Sequence, residues 1–474
     1  MGASINPRNV ESRLTIRQIS AWLTLAAALT IGGHVSAQDQ NNAAAAPVYP
    51  LKASANNRYL VDQNDVPFLM VGDSPQALIG NLSEIQAEKF ISNRAKHGVN
   101  ALWINLLCAS YTACHADGTT YDNIAPFTAG SGPSDYDLST PNPAYFQRVD
   151  DMLAIAASHG TVVLLDPIET GSWLATLQAN GLSKARAYGR FLGNRYKNVP
   201  NIIWMHGNDF QSWRTPSDNE LVIAVAKGIA QTDPNHIQTA ELDYLVSATL
   251  DDPAFRKFVG LDAVYTYHPT YAKLLSEYKR TKFKPMFMVE ANYEFEQNGG
   301  TDGGIIKENL RKQEYWTMLS GATGQLYGSQ YTWRLDGDWQ HNLNTAGIIQ
   351  LHYMKRLFMN RKWFDLVPDR SHQIVTGGRG RFSDSDSITT DTYATAAATP
   401  DGSLVIAYLP SIRKVTVDMS KLAGPVTARW YDPTTGSFLA ISGSPFANTG
   451  SQHFTPPGNN SDGDNDWVLV LEAH

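Results

Sequence analysis

Cysteine is almost absent, with only Cys108 and Cys114 in a chain of 474 residues. Two thiols cannot knit a disulfide-built miniature fold, and with His115 beside them they still fall short of a structural zinc site. In an oxidising compartment they could close a short loop; two free thiols are the other reading. Charged residues are also sparse, at 18%, and the formal net charge of -7 makes the chain a poor partner for nucleic acid. Downstream of residue 37 no apolar run reaches the roughly 20 residues a bilayer demands, so no membrane span is expected. The chain has no Gly-x-Ser-x-Gly elbow, no His-Glu-x-x-His pair and no Walker loop, so lipase, zincin and nucleotide-hydrolase chemistries lack their minimal parts. Neither a metal nor a cofactor is expected.

What is present is apolar and aromatic material, 43% and 10% of residues, enough for one large domain and a smaller one. Arg8, Arg13 and Arg17 precede the apolar run Ile19 to Ile31 and then Val35-Ser36-Ala37. Those are the charged, apolar and small-residue parts of a secretory signal, with cleavage expected after Ala37 and a secreted or periplasmic product. Losing residues 1–37 removes three Arg and one Glu and takes the net charge from -7 to -9. Residues 38–50 are rich in Gln, Asn and Ala without an apolar period, and read as a flexible leader.

From Leu51 onward short apolar runs alternate with amphipathic stretches. Candidate strands are Phe68 to Asp73, Ala101 to Leu107, Thr161 to Asp166, Ile202 to Asp209, Ile237 to Leu242, Ala263 to His268, Met286 to Glu290 and Gly324 to Tyr331. Helices are expected at 83–97, 145–159, 183–196, 219–231, 271–280, 305–319 and 347–364, the first two stopped by Gly98 and Gly160. Eight strands alternating with helices match a (β/α)8 TIM barrel over 51–367 better than an open doubly wound sheet, because no Gly-rich phosphate loop follows the first strand. Beyond Pro368 the runs are short, β-branched and broken by Pro, Gly and Asp, which predicts a small antiparallel β-sandwich over 368–474.

Two of the barrel strands close on an acid, Asp209 after Ile202-Ile203-Trp204 and Glu290 after Phe287-Met288-Val289. An unpaired carboxylate is costly inside an apolar run, so each strand end must open onto solvent or a cleft. Barrel enzymes keep their chemistry at the C-terminal strand ends, and a pair of carboxylates there is what glycoside hydrolysis requires. Other strand ends offer Asp73, Asp166, Glu241 and His268, with Trp103, His206, Asn208, Tyr267, Tyr293, Trp333 and Trp339 near them as candidates to contact a sugar. Glu294 competes with Glu290, but does not directly follow the apolar run; Glu169, Asp336 and Asp338 are expected on solvated loops. A metal held by His206, Asp209 and His268 is the weaker reading.

At these residues the chain resembles the apiosidase-like glycoside hydrolases of family 140. The resemblance lies in Asn201 to Asp209, in Lys284 to Glu294, and in the early run Phe68 to Ser74. It implies Asp209 as general acid/base and Glu290 as nucleophile, and an apiose-containing pectin as substrate. The family more usually has Gly where this chain has Asn208. The tail is similar to the small β domain that follows such barrels, often labelled collagen-binding, through Trp430 to Gly436 and Asp466 to Val470. A retaining hydrolase acting on a plant or microbial polysaccharide is therefore expected, the alternative being a non-catalytic carbohydrate- or matrix-binding protein. Oligomeric state leaves no mark in the sequence.

Overall fold

A computed structural model of the protein describes residues 46–297 and 304–474. The signal segment 1–37 and the start of the leader lie outside the described residues. The rest of that leader is packed: Val48 donates its backbone N–H to Asp62 at 3.0 Å, and the Tyr49 hydroxyl donates to the Gly160 carbonyl at 2.7 Å.

Eight parallel strands make the barrel: β1 (Met70–Asp73), β2 (Ala101–Asn105), β3 (Val162–Asp166), β4 (Ile202–His206), β5 (Gln238–Ala240), β6 (Asp262–Thr266), β7 (Met286–Glu290) and β8 (Gly324–Tyr327). Neighbours pair in order from β5 back to β1, then through β8 and β7 to β6. Between β5 and β6 the Thr249 hydroxyl bridges the ladders, donating to the Ala240 carbonyl and accepting from the Ala263 N–H. An added antiparallel strand, Val246–Ala248, pairs with the far half of β6.

Helices α1 (Leu78–Asn81), α2 (Glu84–Lys96), α3 (Pro143–Ser158), α4 (Thr170–Tyr196), α5 (Pro216–Thr232), α6 (Thr270–Tyr278), α7 (Lys307–Leu319) and α8 (Ala346–Met359) cover the outside. α2 opens on a Ser83–Gln86 capping box. α4 starts thirteen residues before the stretch expected from sequence, because Gly181 (φ 73°) breaks its periodicity in the middle. The interior is filled from alternate strand positions, Met70, Trp103, Leu164, Met205, Tyr265 and Phe287 among them. A short three-stranded sheet at 52–68 contributes Leu60 and Phe68 to that same cluster, joined by Leu51 just before it.

The C-terminal sandwich has a six-stranded and a three-stranded antiparallel sheet enclosing their own apolar core. It grips the barrel through α7, where Arg311 reaches Asp464 and Asp466, Tyr315 stacks on Tyr408 with centroids 4.9 Å apart, and the Trp316 indole donates to the Tyr393 carbonyl.

Candidate active site

Strict alternation along β7 would send Glu290 outward, since Phe287 and Val289 both belong to the interior cluster. The register slips by one residue instead: Val264 pairs with Met288, but Tyr265 pairs with Glu290. That bulge turns the carboxyl into the barrel mouth, a use of bulges found beside active sites. Glu290 is only 6% exposed. It accepts hydrogen bonds from the hydroxyls of Tyr265 (2.7 Å) and Tyr267 (2.8 Å) on Oε1 and of Tyr293 (2.8 Å) on Oε2. Burial, and after it the charge of Asp209, push its pKa up to about 8 against the pull of the three phenols.

Asp209 is aimed by a different device. Gly207, Asn208 and Asp209 have φ of 119°, 59° and 52°, three successive residues in conformations that L side chains seldom adopt. A Cβ on Gly207 would lie 2.0 Å from the Glu241 carbonyl oxygen, so only glycine fits there. The turn is pinned at both ends. Thr170 donates its N–H (2.8 Å) and hydroxyl (2.7 Å) to the Gly207 carbonyl, and the Asp209 N–H donates to Glu241 Oε2 at 3.0 Å. The Tyr111 hydroxyl donates to Asp209 Oδ2 at 2.6 Å. Burial raises the Asp209 pKa, opposed by the phenolic hydrogen bonds.

Both carboxyls border one hollow of 230 Å3. Asn208, Tyr267, Tyr293 and Trp333 line it too, with four residues that sequence reasoning passed over: Gln76, Tyr111, Thr112 and Glu296. Tyr111 and Thr112 sit on a short 3-10 turn within the loop closed by the Cys108–Cys114 disulfide, whose Cα atoms are 5.6 Å apart. Short disulfide-closed loops can place a residue on a site, and only that spacing could have pointed to Tyr111.

A model described as "Apiosidase-like, catalytic domain" matches residues 54–365. The chain belongs to that family. A second model, "Putative collagen-binding domain of a collagenase", matches residues 384–472 of this apiosidase-like protein. Among solved structures, one titled glycoside hydrolase aligns with a TM-score of 0.76 at 22% identity, over 89% of this chain and 96% of its own. A glycoside hydrolase family 5 protein from Bacteroides vulgatus aligns with a TM-score of 0.76 at 21% identity, over 89% and 93%. Identities this low carry the fold alone. Comparison with curated proteins gives no match. Family membership makes the chain a glycosidase.

Several residues singled out from the sequence do not reach the hollow of the apiosidase-like barrel. Asp73 lies on the outward phase of β1 and pairs with Arg94 of α2, which makes it a strut between strand and helix. Trp103 fills the barrel interior, its indole donating to Asn105 at 3.1 Å. His206 faces outward onto Gln238 and Phe255, and burial lowers its pKa to about 4. His268 is outside the lining, and among the described residues no His, Cys, Asp or Glu group is placed to hold a metal ion. Glu294 accepts from the Tyr327 and Thr345 hydroxyls and from the Gly347 N–H, fastening the start of α8. Trp339 packs on Phe90 as core.

Asp166 and Glu241 are buried near the two carboxyls. Burial drives Asp166 to about 8 and Glu241 well above the carboxylate range, the charges of Glu290 and Asp209 adding to the latter. Glu169, expected on a solvated loop, is fully buried, accepts from the Ser172 N–H at 2.8 Å at the head of α4, and is raised to about 8 by burial and then by Asp166. Asp336 and Asp338 are exposed. At Asn208 the backbone is left-handed, a conformation that Asn tolerates next best after Gly. Its side chain accepts from Asn105 at 2.8 Å.

Proposed function

We propose that the protein is an exported glycoside hydrolase that works with retention, Glu290 attacking the anomeric carbon and Asp209 acting first as acid and then as base. The unequal setting of the two carboxyls carries this reading: three phenols donate to Glu290 and one to Asp209. Each donor favours the ionised form, and the excess of donors on Glu290 works against the burial that lifts its pKa, which supports a negative charge on Glu290 with the proton on Asp209. With Asp209 neutral, its share of the upward push on Glu290 disappears.

In the first half-reaction a Glu290 oxygen bonds to the anomeric carbon as the bond to the leaving oxygen breaks and Asp209 passes its proton to that oxygen. In the second, Asp209 takes a proton from water, the water oxygen attacks the same carbon, and the ester to Glu290 breaks. Proton NMR of the first-formed sugar tests the stereochemistry; an inverted anomer would remove the retaining mechanism. Full activity in Glu290→Gln or Asp209→Asn protein would remove the assignment.

The substrate is a plant or microbial polysaccharide, with an apiose-containing pectin side chain the first to try, as the family's description suggests. Incubation with pectic, arabinan and bacterial glycans, followed by identification of the released sugar, decides it. The N-terminal segment ending at Ala37 and the Cys108–Cys114 disulfide support export to an oxidising compartment. A mature chain beginning at Gln38 is the expected result of N-terminal sequencing. For the C-terminal sandwich, the extensive grip on α7 favours a role in holding the barrel over capture of collagen. Retention of the full chain on immobilised collagen would reverse that preference.

A further inference from the structure

A second hollow, of 400 Å3, opens beside the acid pocket, and its walls include Tyr111, Gln211, Tyr244, Leu245 and Tyr267 together with Asp209. Tyr111, Asp209 and Tyr267 border both hollows, whereas Glu290 borders only the inner one. The shared wall thus carries the carboxyl assigned to protonate a leaving oxygen, and the attacking carboxyl lies on one side of it. A glycosidic bond laid across Asp209 puts the attacked sugar in the inner hollow and the departing sugar in the outer one.

The outer wall suits a sugar ring. Tyr244 and Leu245 keep 45% and 51% of their surface exposed. One exposed apolar residue is ordinary, but this pair is held out by a strained backbone, Leu245 having a φ of 79°. That turn is anchored to the end of β6, where the Tyr267 N–H donates to the Leu245 carbonyl at 3.3 Å. Backbone strain beside a site persists where the surroundings hold it. Gln211, whose N–H donates to the Asp209 carbonyl at 2.6 Å, brings an amide able to donate and accept.

We propose that the outer hollow is the binding site for the leaving-group sugar, with Tyr244 as the face on which its ring stacks, Leu245 as the adjoining apolar wall and Gln211 as a partner for its hydroxyls. The proposal rests on the hydrolase reading above. Two substrates test it: the oligosaccharide that the enzyme cleaves, and the glycosyl fluoride of the sugar released from it. Fluoride departs without contacts in the outer hollow and without a proton from Asp209. In Tyr244→Ala, and separately in Leu245→Gly, the ratio of kcat/KM on the oligosaccharide to that on the fluoride is expected to fall roughly tenfold or more. An unchanged ratio in both variants overturns the subsite. Leu245→Gly suits the left-handed backbone better than leucine does, so its folding is not in question. Parent protein that leaves every glycan and glycosyl fluoride uncut would instead overturn the hydrolase reading, and Glu290→Gln protein that hydrolyses both substrates at the parent rate would overturn the assignment of the nucleophile, outcomes distinct from failure of the subsite.

Discussion

Asp466, at the seam between sandwich and barrel, and Glu290, at the barrel mouth, are both buried carboxylates that accept several hydrogen bonds, but their donors differ in kind. Asp466 takes two bonds from the Arg311 guanidinium and others from the Tyr408 hydroxyl and the Asn460 amide. Burial alone would lower the Arg311 pKa, and the bonds to Asp466 more than reverse that. A permanent cation fixes the acid's charge, and the pair becomes a rivet. Glu290 has phenols, and the charge that bears on it most is that of another carboxyl, Asp209. Phenols steady a negative charge without neutralising it, which leaves the carboxylate free to attack a carbon and to depart again.

The contrast can be broken from either end. Glu290→Gln should cost about ten-thousand-fold in kcat, and Asp209→Asn about a thousand-fold on a substrate whose leaving group needs protonation, both with folding intact by circular dichroism. At the seam, Arg311→Met should leave Asp466 buried without its cation and destabilise the fold by about 3–5 kcal/mol in urea titration, while scarcely moving KM. If activity falls in proportion to stability at both places, the two clusters are not different in kind. Tyr111→Phe removes the one phenol on Asp209 Oδ2, a bond that lowers the Asp209 pKa. The alkaline limb of the kcat/KM profile should therefore move to higher pH.

The last effect is on stability. Asp166 titrates at about 8 in the fold, against roughly 3.9 in an unfolded chain. The native state therefore binds the extra proton between those values, so stability is greatest below the lower one and declines as pH rises towards 8. Asp166→Asn should flatten that decline, with a gain about 3–4 kcal/mol larger at pH 8 than at pH 5, as read from denaturant midpoints.

The barrel was legible because its cause is local. All eight strand cores coincide with apolar runs visible in the chain, and Ser83 and Gly98 bracket α2 as sequence reasoning expects. The antiparallel tail was legible in the same way, although its edge strand Ser437–Ala440 is exposed throughout and lacks the buried face that marks the others. The acids at positions 209 and 290 stood out because a charge ending an apolar run demands a reason.

What the linear chain determined on its own was therefore the succession of elements and the two acids at their ends. Direction was left to the tertiary structure. Period-two alternation puts Asp73 outward onto Arg94, and would do the same to Glu290 but for a register slip imposed by pairing with β6. Asp209 is turned inward by a left-handed run that only the contacts from Thr170 and Glu241 hold in place. Glu169 and Glu294 resemble their catalytic neighbours in sequence and differ from Glu290 in the donors that reach them, which include a backbone N–H at the head of α4 or α8. Those encounters join residues far apart along the chain, and side-chain direction and proton affinity are set by such neighbours and not by residue type.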